Sequence, residues 1–225
     1  MEFLSALSDM LQYIKPEYII QSAGPYLLVV LAGIIFAETG LMVGFFLPGD
    51  SLLFLVGLYT ATGLISVPLV VVLGVLMVAA IVGDQTGYII GRKLGPALFR
   101  KPESRFFKPQ YIARTKSFYD RHGGKAIILG RFVPIVRTFV PMIAGVANLE
   151  YRKFVSYNVI GGIVWIGSMT LLGYLPVALA GPRLAEQYIK PNVHYITLGI
   201  ILVSAVPILT TYLSERRRSK AQKGA

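Results

Sequence analysis

The sequence predicts an all-α integral membrane protein: an inverted repeat of two re-entrant, broken-helix hairpins, each followed by a transmembrane helix, with one more transmembrane helix at the C-terminus. Three observations predict it. No Asp, Glu, Lys or Arg occurs from Ser51 to Gly83, from Phe154 to Pro182, or from Pro191 to Ser214, and each run exceeds the ~20 apolar residues that cross a bilayer. Two further apolar stretches combine prolines with ionisable residues. The basic residues gather in two blocks beside the apolar runs. Composition agrees, with 55% hydrophobic residues and a mean hydropathy of +0.65, against roughly 45–50% apolar residues in soluble domains.

Residues 1–24 carry Glu2, Asp9 and Glu17 against Lys15. They lack the basic start and small-residue cleavage site of a signal peptide, and read as an interfacial or amphipathic lead-in. One transmembrane domain is expected over 25–213. Its first hairpin, about 26–62, contains "AETGLMVGFFLPGDSLLFLVG", an apolar run broken at Pro48-Gly49. A spanning helix follows at 67–91. The loop 92–125 holds ten Lys/Arg and two acids, and the tail 214–225 holds five basic residues; together they account for all of the net charge of +11. Positive-inside bias places both in the cytoplasm, a better reading than nucleic-acid binding because both adjoin membrane runs. Helices at 154–176 and 194–213 make two crossings, so the stretch 126–148 must enter and leave on the cytoplasmic face. Pro134 and Pro141 permit that, since each removes a backbone donor and disfavours helix at the preceding residue. Helix 67–91 then starts outside, which puts the N-terminus outside and makes the two hairpins dip from opposite faces. "FFLPGD" and "RFVPIVR" overlay at Pro48 and Pro134, a weak internal echo. Such inverted repeats place a transporter's site at the bilayer midplane.

The hairpins also carry charge: Glu38 and Asp50 in the first, Arg131 and Arg137 in the second. Four unpaired charges in the membrane would cost about 10–14 kcal/mol, as much as the whole stability of a domain. They must pair, meet water or hold a ligand. Struts that pin the hairpins together are one reading. The other uses residue type: arginine stays charged and presents a planar fork to phosphate oxygens, whereas Glu and Asp can be neutralised in a low-dielectric site and so carry a proton. The set therefore suggests an anionic ligand, held by Arg131 and Arg137, moved against a proton through Glu38 and Asp50.

Asp84 and Arg92, in "GDQTGYIIGR", are secondary candidates; Asp84 and Gln85 either cap the cavity or lie near the cytoplasmic interface. His122 and His194 stand alone, so no metal site and no cofactor are expected. Trp165 and most of the 13 tyrosines read as interface and packing residues. The chain has no cysteine, hence no disulfide framework or thiolate site. An enzyme is disfavoured: phosphoryl chemistry needs a nucleophile or base, or a metal. Here His122 lies outside the apolar part of the second hairpin, and no Ser pairs with a His.

Four segments carry a family resemblance: "FAETGLMVGFFLPGDSLLFLVG", "IVGDQTGYIIGRKLG", "FYDRHGGKAIILGRFVPIVRTFVPMIAGV" and "YRKFVSYNVIGGIVW". In this order they resemble the DedA family of bacterial inner-membrane proteins, over roughly residues 25–175. The resemblance implies that Glu38, Asp50, Arg131 and Arg137 are essential and that the activity is lipid translocation. Recycling of undecaprenyl phosphate for envelope synthesis is the activity expected. The alternatives it leaves are a phosphatidylethanolamine flippase or passive scramblase and, further off, a membrane lipid phosphatase. The expected partners are membrane lipids, not nucleic acid; homo-oligomerisation is left open. The expected location is the bacterial inner membrane.

Overall fold

A computed structural model describes residues 16–41, 49–100 and 134–181, with positions 128, 131, 183, 187, 191, 192 and 195. The lead-in before Pro16, Pro48, most of the basic loop, the first leg of the second hairpin, the helix at 194–213 and the basic tail lie outside the described residues, as do His122 and His194.

Every element among the described residues is helical. Helix α1 spans Pro16–Ser22, and a 3-10 turn at Gly24–Tyr26 leads into α2, Leu27–Gly40. Helix α3 spans Gly49–Ala61, α4 Leu69–Arg100, α5 Pro134–Val146 and α6 Tyr151–Ala180. At 1.5 Å per residue, the 32 residues of α4 and 30 of α6 are about 48 and 45 Å long, ample for the ~30 Å hydrocarbon layer. Their apolar portions, Leu69–Gly95 and Tyr151–Leu179, meet the length and composition of membrane spans. The 13 or 14 residues of α2, α3 and α5 reach only about 20 Å, too short to cross.

Two sequence expectations shift. The helix expected to end at 91 continues to Arg100, so the first part of the basic loop is helical; it runs on through Gly95-Pro96, where Gly95 packs against α5, a Cβ there lying 3.3 Å from the Val146 carbonyl. Pro141 does not break its helix, which runs on to Val146 with the proline inside. Its missing N–H costs one bond to the preceding turn, and close packing against α4 keeps the helix intact: Pro141 is buried, with its Cβ 3.3 Å from where a Gly87 side chain would begin. Pro134 stands at the first helical position, where proline's fixed φ suits a helix start.

The connections are tight. Gly63, at φ +77°, ends α3, with its N–H donating to the Thr60 carbonyl and the Ile65 N–H to that of Tyr59. After α5, Asn148 takes φ +51°. Its N–H reaches the Gly145 carbonyl and that of Leu149 the Ala144 carbonyl, the paired bonds of a Schellman end. The Tyr88 hydroxyl on α4 donates to the Leu149 carbonyl at 2.5 Å, and its ring stacks on Phe154 at 4.6 Å. The α5–α6 turn is thereby fixed against α4.

Glycines set the helix crossings. Helix α3 packs on α6, where a Cβ at Gly57 would overlap the Thr170 carbonyl and one at Gly173 the Phe54 carbonyl. Helix α5 packs on α4 in the same fashion, through Gly145 against Tyr88 and Gly91 against Met142. Helix α2 meets α4 where a Cβ at Gly40 would lie 2.6 Å from the Gly83 carbonyl. Lipid offers no hydrophobic drive between helices, so small residues that let backbones approach supply the packing. Leu31, Ile35, Leu52, Leu76, Trp165 and Ile166 are among the fully buried residues of the core between them.

Candidate functional site

The charged residues of the hairpins converge on the middle of the two long helices. Asp84 is the sixteenth of the 32 residues of α4, and Trp165 the fifteenth of the 30 of α6. Glu38 lies near the end of α2, while Asp50 sits in the first turn of α3, where the helix dipole favours a negative charge. Gly49 admits the Glu38 carboxylate against the start of α3; a Cβ there would overlap it. Arg137 lies in α5, and Arg131 in the turn that precedes it.

Arg137 bridges both acids of the first hairpin. Its Nη2 donates to Glu38 Oε1 and its Nη1 to Asp50 Oδ1 at 2.8 Å. The guanidinium lies 4.1 Å over the Trp165 ring, and the indole Nε1–H donates to the same Asp50 oxygen at 2.8 Å. One planar cation thus holds two carboxylates and an aromatic face, a geometry lysine could not reproduce. Arg131 makes a second cluster: its Nη2 donates to Asp84 Oδ2 and to Asn158 Oδ1. Asn158 Nδ2 in turn donates to the Ile81 carbonyl at 3.3 Å. Gly161 and Gly162 leave the space that the Arg131 side chain fills. Nearby, the Thr39 hydroxyl donates to the Ile35 carbonyl at 2.9 Å and lies 3.3 Å from that of Ala80, tying α2 to α4.

These charges are withdrawn from the surface. Glu38, Asp84, Arg131 and Arg137 are 1–4% exposed, and only Asp50 keeps access, its side chain 14% exposed. Three carboxylates against two guanidinium groups leave one formal negative charge. The pairing is also incomplete: Glu38 Oε2, Asp84 Oδ1, Arg131 Nη1, Arg137 Nε and both amide atoms of Gln85 are buried without a hydrogen-bond partner among the described residues. An unpaired buried polar atom costs about 1–3 kcal/mol, so these are places for water or a ligand to bind. Among the described residues no group of His, Cys, Asp and Glu could hold a metal ion.

The structure thus joins Glu38, Asp50 and Arg137 in one cluster and pairs Arg131 with Asp84, a secondary candidate of the sequence, in a second. Arg92 is exposed and stands apart, two turns along α4 from Asp84. Two members escaped the sequence reading. Trp165 is wholly buried and touches both Arg137 and Asp50, so it is no interface anchor; its place at the centre of a charge-free run was the available signal, since interface tryptophans sit at the ends of spans. Asn158 had a similar signal, being a lone amide inside that same run.

Comparison with known proteins places the chain among relatives. The VTT domain family model matches residues 47–175. The chain is 39% identical over 221 residues to the protein DedA of Escherichia coli K12, covering 96% of this chain and 97% of that one. It is equally identical over 224 residues to an uncharacterized membrane protein of Mycobacterium tuberculosis H37Rv, covering 98% and 94%. It shares 39% identity over 146 residues with the inner membrane protein YqjA of E. coli K12, covering 65% and 66%. The similarity extends beyond residues 25–175 into the ends of the chain. No solved structure matches it significantly.

Proposed function

Because this chain belongs to the DedA family of VTT-domain membrane proteins, we propose that it is a flippase for a phosphate-bearing lipid, with undecaprenyl phosphate as the candidate substrate. The observation that carries this reading is the pair of buried arginines whose carboxylate partners leave polar atoms of both sides unsatisfied. A phosphate presents the same acceptor geometry as a carboxylate and can take the place of one on each guanidinium. The arginines are already engaged, so anion and carboxylate compete. Protonating Glu38 or Asp50 frees one side of the Arg137 fork and brings the five charged groups to neutrality. Proton and phosphate then bind together, rather than in the exchange that the sequence suggested. Asp50, the more accessible acid, is the entry point for the proton.

The packing supports an inverted repeat around this site. The second leg of the first hairpin, α3, packs on α6, and its counterpart α5 packs on α4; each uses the long helix of the opposite half, and each does so through glycine contacts. Their length, short of a full span, supports re-entrant legs. The basic loop and the C-terminus face the cytoplasm in this scheme, with the N-terminus outside. Single cysteines at positions 8, 104 and 219 test it: an impermeant reagent applied from outside should label only position 8, and labelling at 104 would refute it.

Proteoliposomes with fluorescent undecaprenyl phosphate test the transport reading. Wild-type protein should flip the lipid faster under an inward proton gradient. Glu38→Gln and Asp50→Asn should keep lipid binding and lose the gradient dependence. Transport indifferent to the gradient would make the protein a passive scramblase. Release of phosphate from undecaprenyl pyrophosphate would make it an enzyme. Arg→Lys variants that bind normally, with unfolding of the amide variants, would reduce the charges to struts.

A further inference from the structure

An open apolar groove of about 550 Å³ runs between α2 and α4. Ala32, Gly33 and Phe36 line it from α2, and Gly74, Val78 and Val82 from α4. It opens sideways, toward what would be lipid: Val78 and Val82 are 60% and 47% exposed. At one end the helices close at the Gly40–Gly83 crossing, within one turn of Glu38 and Asp84. The spacing along α4 continues its stripe into the polar site. Positions 74, 78, 82 and 85 share one helical face, so Gln85, with its buried and unpartnered amide, is the next residue beyond Val82. From Gly74 to Val82 the groove is about 12 Å long.

We propose that this groove is the tail subsite of the transported lipid. It takes the hydrocarbon segment next to the phosphate, an isoprenoid or acyl chain, and the Gln85 amide meets the polar linkage at its inner end. The inference rests on the phosphate-lipid reading above. An apolar channel whose stripe ends in an unpaired amide, next in sequence to the Asp84 that holds Arg131, matches a molecule with a greasy chain, a polar link and a phosphate in that order.

Two glycines make the test clean. A Cβ at Gly33 or Gly74 meets no atom within 4 Å, and leucine is a better helix former than glycine. The double variant Gly33→Leu/Gly74→Leu should therefore fold while filling the groove. Two probes are measured in nanodiscs, undecaprenyl phosphate and the tail-less methyl phosphate. Filling should weaken undecaprenyl phosphate binding about ten-fold, in line with overpacking a filled site, and leave methyl phosphate binding unchanged. A diazirine in the first isoprene units should cross-link to α2 and α4 of the wild-type protein and not of the filled variant. Unchanged undecaprenyl phosphate affinity and cross-linking, with methyl phosphate still bound, would overturn the groove alone. Failure of the wild-type protein to bind either probe would overturn the phosphate reading and this subsite with it. A filled variant that loses oligomers yet binds both probes normally would make the groove a protomer interface and also overturn the proposal.

Discussion

Replacing Arg137 by lysine keeps the charge and removes the fork. Lysine can reach Glu38 or Asp50 but cannot hold both in one plane, so one charge-assisted hydrogen bond is lost, a loss of about 1.5–3 kcal/mol. The contact with the Trp165 ring at 4.1 Å also goes, at about 0.5–2 kcal/mol. Together these give about 2–5 kcal/mol; the lower end applies, because polar groups in a membrane-embedded unfolded state find other partners. For a chain of 225 residues a loss of about 2 kcal/mol corresponds to a fall of roughly 4–8 °C in Tm. The single tryptophan of the chain is the probe, since it lies against the substituted group. Its emission should shift in Arg137→Lys under native conditions, and the same signal should follow thermal unfolding in detergent. Lipid-phosphate affinity should fall ten- to a hundred-fold, as for one lost charge-assisted contact. A cycle with Glu38→Gln adds the control: if Arg137 bridges the acids, the two substitutions should couple by about 0.5–3 kcal/mol. Unchanged emission, an unchanged Tm and additive effects would show that the bridge does not exist in solution.

Trp165→Phe keeps an aromatic ring under Arg137 and deletes the indole donor to Asp50; Tm should drop by the equivalent of about 1–3 kcal/mol, much less in an Asp50→Asn background, and equal drops in both would exclude the hydrogen bond. Asp84→Asn leaves the Arg131 charge buried without its counter-ion and should destabilise by about 3–5 kcal/mol; the double variant with Arg131→Gln should recover a good part of that, and a single variant as stable as wild type would refute the pairing. Gly57→Ala and Gly145→Ala place a methyl group on a carbonyl of the facing helix and should each destabilise by about 1–3 kcal/mol. Gly33→Ala, which meets open space, should be neutral or stabilising by up to about 1 kcal/mol; reversal of that order in thermal unfolding would contradict the helix crossings.

Much of this protein was legible in its residues. Apolar length and the absence of charge are one-dimensional quantities, so α4 and α6 could be read off directly, and so could the need for partners to Glu38, Asp50, Arg131 and Arg137, because burying charge is costly wherever the chain goes. Proline was a poorer guide. Its preference is local, and packing against α4 carried the helix through Pro141, while Pro134 became a helix start. Pairing, by contrast, was settled by the tertiary structure alone. Residues 38 and 137 are 99 positions apart, and nothing in periodicity says that Arg137 takes both acids of the first hairpin while Arg131 turns to Asp84 and Asn158. Glycine crossings at Gly40, Gly57, Gly91 and Gly145 decide which helices touch and at what register, and with it whether a side chain halfway along a span faces lipid or a charge. That is why Trp165 reads as an ordinary membrane tryptophan in the sequence and stands, once the helices are packed, against the guanidinium at the centre of the site.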